Sequence, residues 1–194
     1  MKQDIKRKII EATIKLIEEK ESRPEEITVR DICAAAGIGL SQINYHFQTK
    51  DNLIAQCVQE IIGRVIGAVP RQSPALLGET ALDTLKLRMR YTLDFLYANE
   101  NISRISILTD HQNARPGDNT EQTINGYAPL IEAVLKERNI AGDPRELAAF
   151  MILSLQGIFL RTQIVKQTLG IDLRSGEGRN KLIDDYVEGA FGKD

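Results

Sequence analysis

The stretch GIGLSQINYHFQTKDNL, residues 37–53, decides the fold. Its apolar residues Ile43 and Phe47 stand one helical turn apart, so the spacing predicts a short helix with one face held against the protein. Polar and aromatic side chains occupy the positions between them. A helix in the core would not carry so many polar side chains, and a loop would not need two apolar residues to hold it in place. The pattern therefore predicts a short helix that presents its polar face to another molecule.

Another helix is predicted directly before this stretch. Thr28 and Asp31, three residues apart, resemble the capping box that starts a helix, with Asp in the usual place of Glu. Gly37 can supply the left-handed conformation that ends that helix, and Thr49 is predicted to cap the helix that follows. A helix, a tight turn with glycine and a short helix over residues 28–47 make a helix-turn-helix, whose second helix enters the major groove of DNA.

The rest of the chain also follows a helical period, and strand alternation of useful length is missing from the sequence. Asp143 and Pro144 make a strong helix start, and that helix is predicted to continue to about Leu169, where Gly170 stops it. The other segments predicted as helical are residues 2–20, 29–36, 40–47, 49–69, 79–98, 101–112, 120–138 and 179–191. The sequence therefore predicts an all-α protein of about nine helices.

Composition and charge are those of a globular protein, with 42% hydrophobic residues, 27% charged residues and a net charge of −2. Cys33 and Cys57 have no C-x-x-C pairing and no His at ligand spacing, so we expect no disulfide framework, no metal site and no cofactor. The charged N-terminus lacks the apolar region of a secretory signal, and the apolar run at residues 148–160 is too short to cross a bilayer. We therefore expect a cytoplasmic protein without membrane contact.

The segment AAGIGLSQINYHFQTKDNL, residues 35–53, resembles the DNA-binding signature of the TetR family of one-component regulators. The resemblance extends from the first helix to about Ile62, roughly a third of the chain. It implies a three-helix DNA-binding domain at residues 1–62, with its helix-turn-helix at about residues 28–47. It also implies a helical ligand-binding and dimerisation domain at residues 63–194.

The resemblance also assigns DNA contacts. The groove-facing surface would comprise Leu40, Ser41, Gln42, Asn44 and Tyr45, with His46 beside the phosphates, Arg30 on the preceding helix, and Thr28 and Lys50 as phosphate contacts at two helix N-termini. The chemistry agrees, since Gln pairs bidentately with adenine and Lys or helix N–H groups suit phosphates. His46 taken alone is equally well explained as an ordinary surface histidine.

Three positions depart from the family pattern. Gly39 stands where a Ser or Thr cap is usual, and Leu40 stands where a polar residue such as Lys is common. Asn44 replaces a frequent Tyr and could read a base edge itself. The sequence therefore leaves open whether Asn44 or Tyr45 reads the base.

The second domain is expected to form a homodimer and to bind a small molecule. The helix at residues 143–169 is apolar nearly all round, so it needs cover on more than one side. A four-helix dimer interface with the last helix would use Ile152, Leu155, Leu182, Ile183, Tyr186 and Val187. Polar or aromatic residues in apolar helices are the ligand candidates, although each could be ordinary core: Tyr91, Phe95, His111, Tyr127, Gln156 and Phe159. Their mixed character predicts a largely apolar ligand held by one or two hydrogen bonds.

These expectations together describe a homodimeric DNA-binding regulator, a repressor that a small molecule releases from a palindromic operator. One alternative is a regulator or activator that senses no ligand and works with a protein partner. Another is an all-α enzyme, but the two histidines, His46 and His111, lie in different regions, and the sequence shows no metal-binding motif, phosphate loop or nucleophile elbow. We therefore expect no enzymatic activity.

Overall fold

The structure, a computed structural model, describes residues 2–19, 24–68 and 79–192. Within those ranges it contains ten α-helices, one 3-10 turn at Pro24–Glu26 and no strand, which confirms the predicted all-α class. The helices are α1 (Lys2–Glu19), α2 (Val29–Ala36), α3 (Leu40–Phe47), α4 (Lys50–Ala68), α5 (Ala81–Ala98), α6 (Glu100–Gln112), α7 (Asn119–Arg138), α8 (Pro144–Leu160), α9 (Thr162–Leu169) and α10 (Gly176–Phe191).

The helices form two compact units. The first unit contains α1 to α4 together with α6, and the second contains α5 and α7 to α10. The functional boundary predicted between residues 62 and 63 stays a prediction. The first compact unit extends to Ala68, beyond residue 62, and it also includes α6.

The core of the first unit is built from the apolar faces of its N-terminal helices. Fully buried side chains come from every one of these helices: Ile9 and Ile17 of α1, Ile32 of α2, Ile43 of α3 and Leu53 of α4. Burial of one such aliphatic side chain contributes about 1.5–3 kcal/mol relative to leaving it in water. Two turns of α3 cannot persist alone in water, so this core is what keeps α3 helical.

A polar contact attaches α6 to α4 within the first unit. Gln59 Nε2 donates to Asp110 Oδ1 at 2.6 Å and to the backbone oxygen of Ser106 at 3.2 Å. Asp110 and Ser106 are both buried, so these bonds replace the water that the two groups lose on folding. Gln59 and Asp110 are 51 residues apart, and no local sequence pattern indicates that they meet.

The second unit packs α7 against α5, α8 and α10. Its core includes Leu85, Met89 and Leu93 of α5 and Ile131 and Val134 of α7, all without exposed surface. The residues on each helix are spaced at three or four positions, as a single buried face requires. This core is the scaffold on which the ligand and dimer candidates of the sequence lie.

The predicted start of α8 is confirmed, whereas its predicted length is not. Asp143 caps the helix by accepting from two backbone N–H groups of the first turn, and Pro144 follows it. The single helix predicted to run to Leu169 is instead two helices, α8 and α9, at 92° to each other. The break is at Arg161, whose φ of −116° and ψ of 30° leave the α-helical region, which is why ten helices are found rather than nine.

Side-chain contacts hold this break, since the local sequence contains neither glycine nor proline at residues 160–163. Thr162 Oγ1 donates to the backbone oxygen of Phe159 at 2.7 Å and lies 2.7 Å from the hydroxyl of Tyr97 on α5.

The bend between α8 and α9 also matters for whether these helices could cross a membrane. Among the described residues, no single helix is long and apolar enough to cross a bilayer. Only α8 and α9 taken together have that length and apolar content, and the bend separates them.

The residues predicted for a dimer interface lie mainly inside their own unit. Five of the six have at most 6% of their surface exposed, and only Tyr186 is partly exposed; the five are Ile152, Leu155, Leu182, Ile183 and Val187. These five residues form the inner faces of α8 and α10 within one chain, and their part in a dimer interface stays a prediction. The exposed apolar side chains of α8 are Phe150 and Leu153.

Candidate nucleic-acid interface

The N-terminus of α2 is fixed by the predicted capping box, which the structure confirms. The Asp31 backbone N–H donates to Thr28 Oγ1 at 3.2 Å, and Asp31 Oδ2 accepts from both the backbone N–H and the hydroxyl of Thr28 at 2.8 Å. The Thr28 hydroxyl is therefore engaged inside the protein. Exposed Arg30 follows in the first turn, where the helix dipole favours an anion.

The turn between α2 and α3 depends on Gly37. This residue has a φ of 59° and a ψ of 46°, a left-handed conformation that costs a residue with a Cβ about 1–2 kcal/mol. The Ile38 N–H donates to the carbonyl of Cys33 at 3.0 Å, which closes the end of α2. Gly39 then occupies the N-cap position of α3 with no side-chain cap, as its sequence position predicted.

The two faces of α3 separate as the sequence predicted. Ile43 and Phe47 are buried, whereas Ser41 and Asn44 are exposed, and Tyr45 is 61% exposed. Tyr45 lies about 200° around the helix from Ile43, so it points directly away from the core, and Asn44 lies about 100° from Ile43, on the flank. Both residues are open to a partner, with Tyr45 at the centre of the exposed face.

Residues at the edge of that face are more constrained. Gln42 and His46 are partly buried, and the His46 ring meets Tyr45 edge-on with centroids 4.9 Å apart. From α1, the Lys6 ammonium lies 5.6 Å from the centroid of the Phe47 ring. Leu40, at the first position of α3, is 55% exposed. The exposed face of α3 is thus aromatic, polar and flanked by a cation.

Lys50 connects the start of α4 to the start of α2. Its Nζ donates to the backbone oxygen of Ile27 at 3.1 Å, so the ammonium lies next to the residue that precedes the Thr28 cap. Thr49 caps α4 as predicted, because its Oγ1 accepts from the Asn52 N–H at 3.1 Å. The Lys50 ammonium, at the start of α4, therefore lies near the start of α2. One of its three N–H groups bonds to Ile27, and two remain as donors. Such a group of donors suits a phosphate.

Gln48, between α3 and α4, has a conformation that the sequence did not indicate. Its φ of 68° and ψ of −50° are those of a γ-turn with positive φ, a strained form closed by the Thr49 N–H donating to the Phe47 oxygen at 2.8 Å. Such a conformation costs about 1–3 kcal/mol and persists only where its surroundings impose it. The γ-turn reverses the chain at once, which places Thr49 and Lys50 beside α3.

The ligand candidates do not form one cluster. His111 is an exposed residue of α6 in the first unit, and Tyr91 is 43% exposed. Phe95 is partly buried, whereas Phe159 is fully buried, with its ring edge-to-face with Tyr97 at a centroid distance of 5.2 Å. Only the buried members remain as candidates for a site inside the second unit.

Tyr127 is buried and its hydroxyl is satisfied by its own unit. It donates to the backbone oxygen of Arg88 at 2.8 Å and lies 2.6 Å from Thr92 Oγ1. Burial raises the pKa of Tyr127 well above its usual range, so the phenol stays protonated at neutral pH. These contacts make Tyr127 a structural residue of the α5–α7 packing.

Cys33 and Cys57 are both free thiols. Burial raises the pKa of the Cys57 thiol to about 12, so this thiol stays protonated at neutral pH, which is unfavourable for redox chemistry. Cys33 is partly buried and carries no disulfide. Over residues 2–19, 24–68 and 79–192 no group of three His, Cys, Asp or Glu side chains is arranged to hold a metal ion.

Comparison with known proteins agrees with this geometry. The family model described as bacterial regulatory proteins, tetR family, matches residues 9–57, which extend from within α1 to within α4. A search of curated protein sequences finds no match. The matched segment contains the whole helix-turn-helix and the Lys50 contact described above.

Solved structures of similar fold cover nearly the whole chain. The transcriptional regulator FadR from Bacillus subtilis, in complex with stearoyl-CoA, is 17% identical over 94% of this chain and 97% of its own, with a TM-score of 0.61. A TetR-family transcriptional regulator from Mesorhizobium loti is 16% identical over 97% of this chain and 96% of its own, with a TM-score of 0.58. Residues 9–57 therefore match the tetR family model, in a chain that has the fold of the solved TetR-family transcriptional regulator.

Proposed function

We propose that the protein is a sequence-specific DNA-binding transcriptional regulator, a homodimeric repressor that a small molecule releases from a palindromic operator. The observation that carries the proposal is the exposed face of α3. Tyr45 and Asn44 point outward, while Ile43 and Phe47 hold the helix in place. A short helix fixed in this way, with polar and aromatic side chains outward, fits the major groove.

The donor groups around Lys50, which suit a phosphate, support the same function. The starts of α2 and α4 meet at Lys50, and the exposed Arg30 lies one turn away on α2. Since net charge is −2, local donors rather than overall charge must hold the DNA backbone. We therefore expect binding with a moderate dependence on salt.

Replacement of Lys50 by glutamine is expected to weaken binding to specific and random DNA alike. Glutamine keeps a donor for the Ile27 carbonyl but removes the charge, so the fold is retained and the phosphate contact is lost. The slope of log affinity against log salt should fall by about 1. A salt titration by fluorescence anisotropy measures this slope, with Lys15→Gln, on an exposed position of α1, as the matched control. An unchanged slope for Lys50→Gln would remove Lys50 from the interface.

Dimerisation is supported by the outer face of α8. Phe150 is 61% exposed and Leu153 is 43% exposed, three residues apart on one side of the helix. Ser154, beside them, bonds to the hydroxyl of Tyr186 on α10. An apolar face of this kind is typical of a protein–protein contact, and a two-fold dimer matches a palindromic operator. Two recognition helices would then enter successive major grooves about 34 Å apart.

Replacement of Phe150 by glutamate is expected to separate the dimer, because it buries a charge in an apolar contact. The dimer should weaken by at least about 2 kcal/mol, about thirtyfold in dissociation constant. Sedimentation equilibrium at micromolar concentration measures the effect. The matched control is Leu108→Glu, the same change at a leucine that is 40% exposed on α6. A wild-type monomer under these conditions would contradict the dimer proposal.

The ligand response is the remaining part of the proposal. The FadR structure from Bacillus subtilis contains stearoyl-CoA, a molecule with a long apolar chain, and the predicted ligand of this protein is also largely apolar. A ligand releases DNA only by its differential affinity for the DNA-bound and free forms. Stearoyl-CoA is therefore one reasonable compound to test.

A gel-shift assay on the DNA upstream of the protein's own gene tests the proposal. The expected result is a discrete complex at low salt that competitor random DNA does not remove. Addition of stearoyl-CoA, and separately of uncharged, largely apolar compounds, then tests release. If no neighbouring promoter gives specific binding, the regulator proposal is contradicted.

A further inference from the structure

One buried polar side chain of the second unit is not explained by the fold alone. Gln156 of α8 is 8% exposed, and its Nε2 donates to Thr120 Oγ1 of α7 at 3.1 Å. Its Oε1 is buried and has no hydrogen-bond partner among the described residues. A buried acceptor without a donor destabilises the protein, so an apolar residue of the same size would be more stable here.

The surroundings of this acceptor are apolar and aromatic. Ile152 lies one turn before Gln156 on α8 and Phe159 lies one turn after it, and both are buried. The Phe159 ring packs edge-to-face against Tyr97, and Thr120 supplies a hydroxyl from α7. The other buried residues of α8 are all apolar. Gln156, bonded to Thr120, is thus a polar group in a largely apolar setting, the usual composition of a small-molecule site.

We propose that Gln156 is the polar recognition point for a ligand of the second unit, and that this ligand is an uncharged, largely apolar molecule that donates a hydrogen bond to Gln156 Oε1. Aliphatic alcohols and primary amides belong to this class. A carboxylate end does not, because it has no hydrogen to donate and would place a buried charge beside apolar turns. Ligand binding at Gln156 does not depend on the proposed function. Only the further step, in which this ligand is the effector that releases DNA, rests on it.

A matched pair of probes isolates the hydrogen bond. Octan-1-ol and methyl heptyl ether have the same number of heavy atoms and nearly the same apolar surface, but only the alcohol donates. Isothermal titration calorimetry on the full-length protein is expected to give a dissociation constant for octan-1-ol at least about tenfold lower than for the ether, about 1.4 kcal/mol. In Gln156→Met, which keeps the size and removes the acceptor, the two dissociation constants should become equal.

A second measurement separates recognition from a structural role. If Oε1 is reserved for a ligand, the ligand-free Gln156→Met variant should unfold at the same temperature as the wild type or higher, because an unsatisfied group has been removed. A purely structural Gln156 requires the opposite result. Gln163→Met, at an exposed position of α9, is the control for the substitution itself and should leave the preference for the alcohol intact.

Several outcomes would overturn the proposal. They are equal binding of alcohol and ether to the wild type, no binding of either, retention of the preference in Gln156→Met, and a lower unfolding temperature or loss of the fold in that variant. DNA binding measured on the same samples keeps the two proposals apart. If the alcohol preference depends on Gln156 but DNA affinity does not respond, the site stands and the ligand-released repressor fails. If DNA binds and the preference is missing, only the site fails.

Discussion

Replacement of Phe47 by alanine is expected to destabilise the first unit by about 3–5 kcal/mol, the usual loss for truncating a buried Phe. Phe47 is 2% exposed and is, with Ile43, one of the two anchors of α3. The loss is a large part of the about 5–15 kcal/mol that stabilises a typical protein, so DNA binding should be lost with the fold of α3. Urea unfolding followed by circular dichroism measures the change in free energy of unfolding.

The control for this prediction is Phe47→Leu, which keeps most of the apolar volume and should cost clearly less than the alanine variant. The Lys6 ammonium over the ring adds only a small cation–π term, so Lys6→Gln should change stability little. A loss below about 1 kcal/mol for Phe47→Ala would mean that α3 is held by other residues.

The opposite face of α3 predicts the opposite behaviour. Replacement of Tyr45 by alanine should leave the free energy of unfolding within about 0.5 kcal/mol of the wild type, because its ring is 61% exposed. Affinity for the operator should fall by about 1–3 kcal/mol, while affinity for random DNA should change much less. Fluorescence anisotropy on both duplexes measures the two losses.

Asn44→Ala in the same assay decides which of the two residues reads a base. The base reader is the residue whose loss lowers specific affinity selectively and relaxes the preference at one base pair. Tyr45 lies at the centre of the exposed face, so we expect it to carry the larger loss. Equal losses on operator and random DNA for both variants would show that α3 contributes no sequence recognition.

The helix-turn-helix could be predicted from the sequence because its signals are local. The Thr28–Asp31 capping box, the left-handed Gly37 and the one-turn spacing of Ile43 and Phe47 each depend on residues only a few positions apart. The same short-range physics acts in the folded chain, so the structure confirms each of them. The predicted start of α8 at Asp143 is confirmed for the same reason.

Features that depend on tertiary contacts could not be predicted in this way. The bend at Arg161 is held by Tyr97 and Thr162, which are 65 residues apart. The bond from Lys50 to the Ile27 carbonyl spans 23 residues, although the role of Lys50 at a helix start was expected. The hydrophobic periodicity of the sequence predicts neither contact, because it describes one helix at a time.

The predicted dimer residues show a further limit of periodicity. It finds the apolar sides of a helix but does not say which side the chain's own core covers. On α8 the core covers Ile152 and Leu155 and leaves Phe150 and Leu153 exposed. The His111 placement has the same origin, since it follows from the packing of α6 on α4.

The central claim, that α3 recognises a DNA sequence, is tested most directly by one ratio. The measurement is the dissociation constant for a random duplex divided by that for an equally long duplex from upstream of the protein's gene, at one salt concentration of about 0.15 M. The account predicts a ratio of at least about 10³ for the wild type, falling sharply in Tyr45→Ala. A wild-type ratio near one on every neighbouring promoter would contradict it.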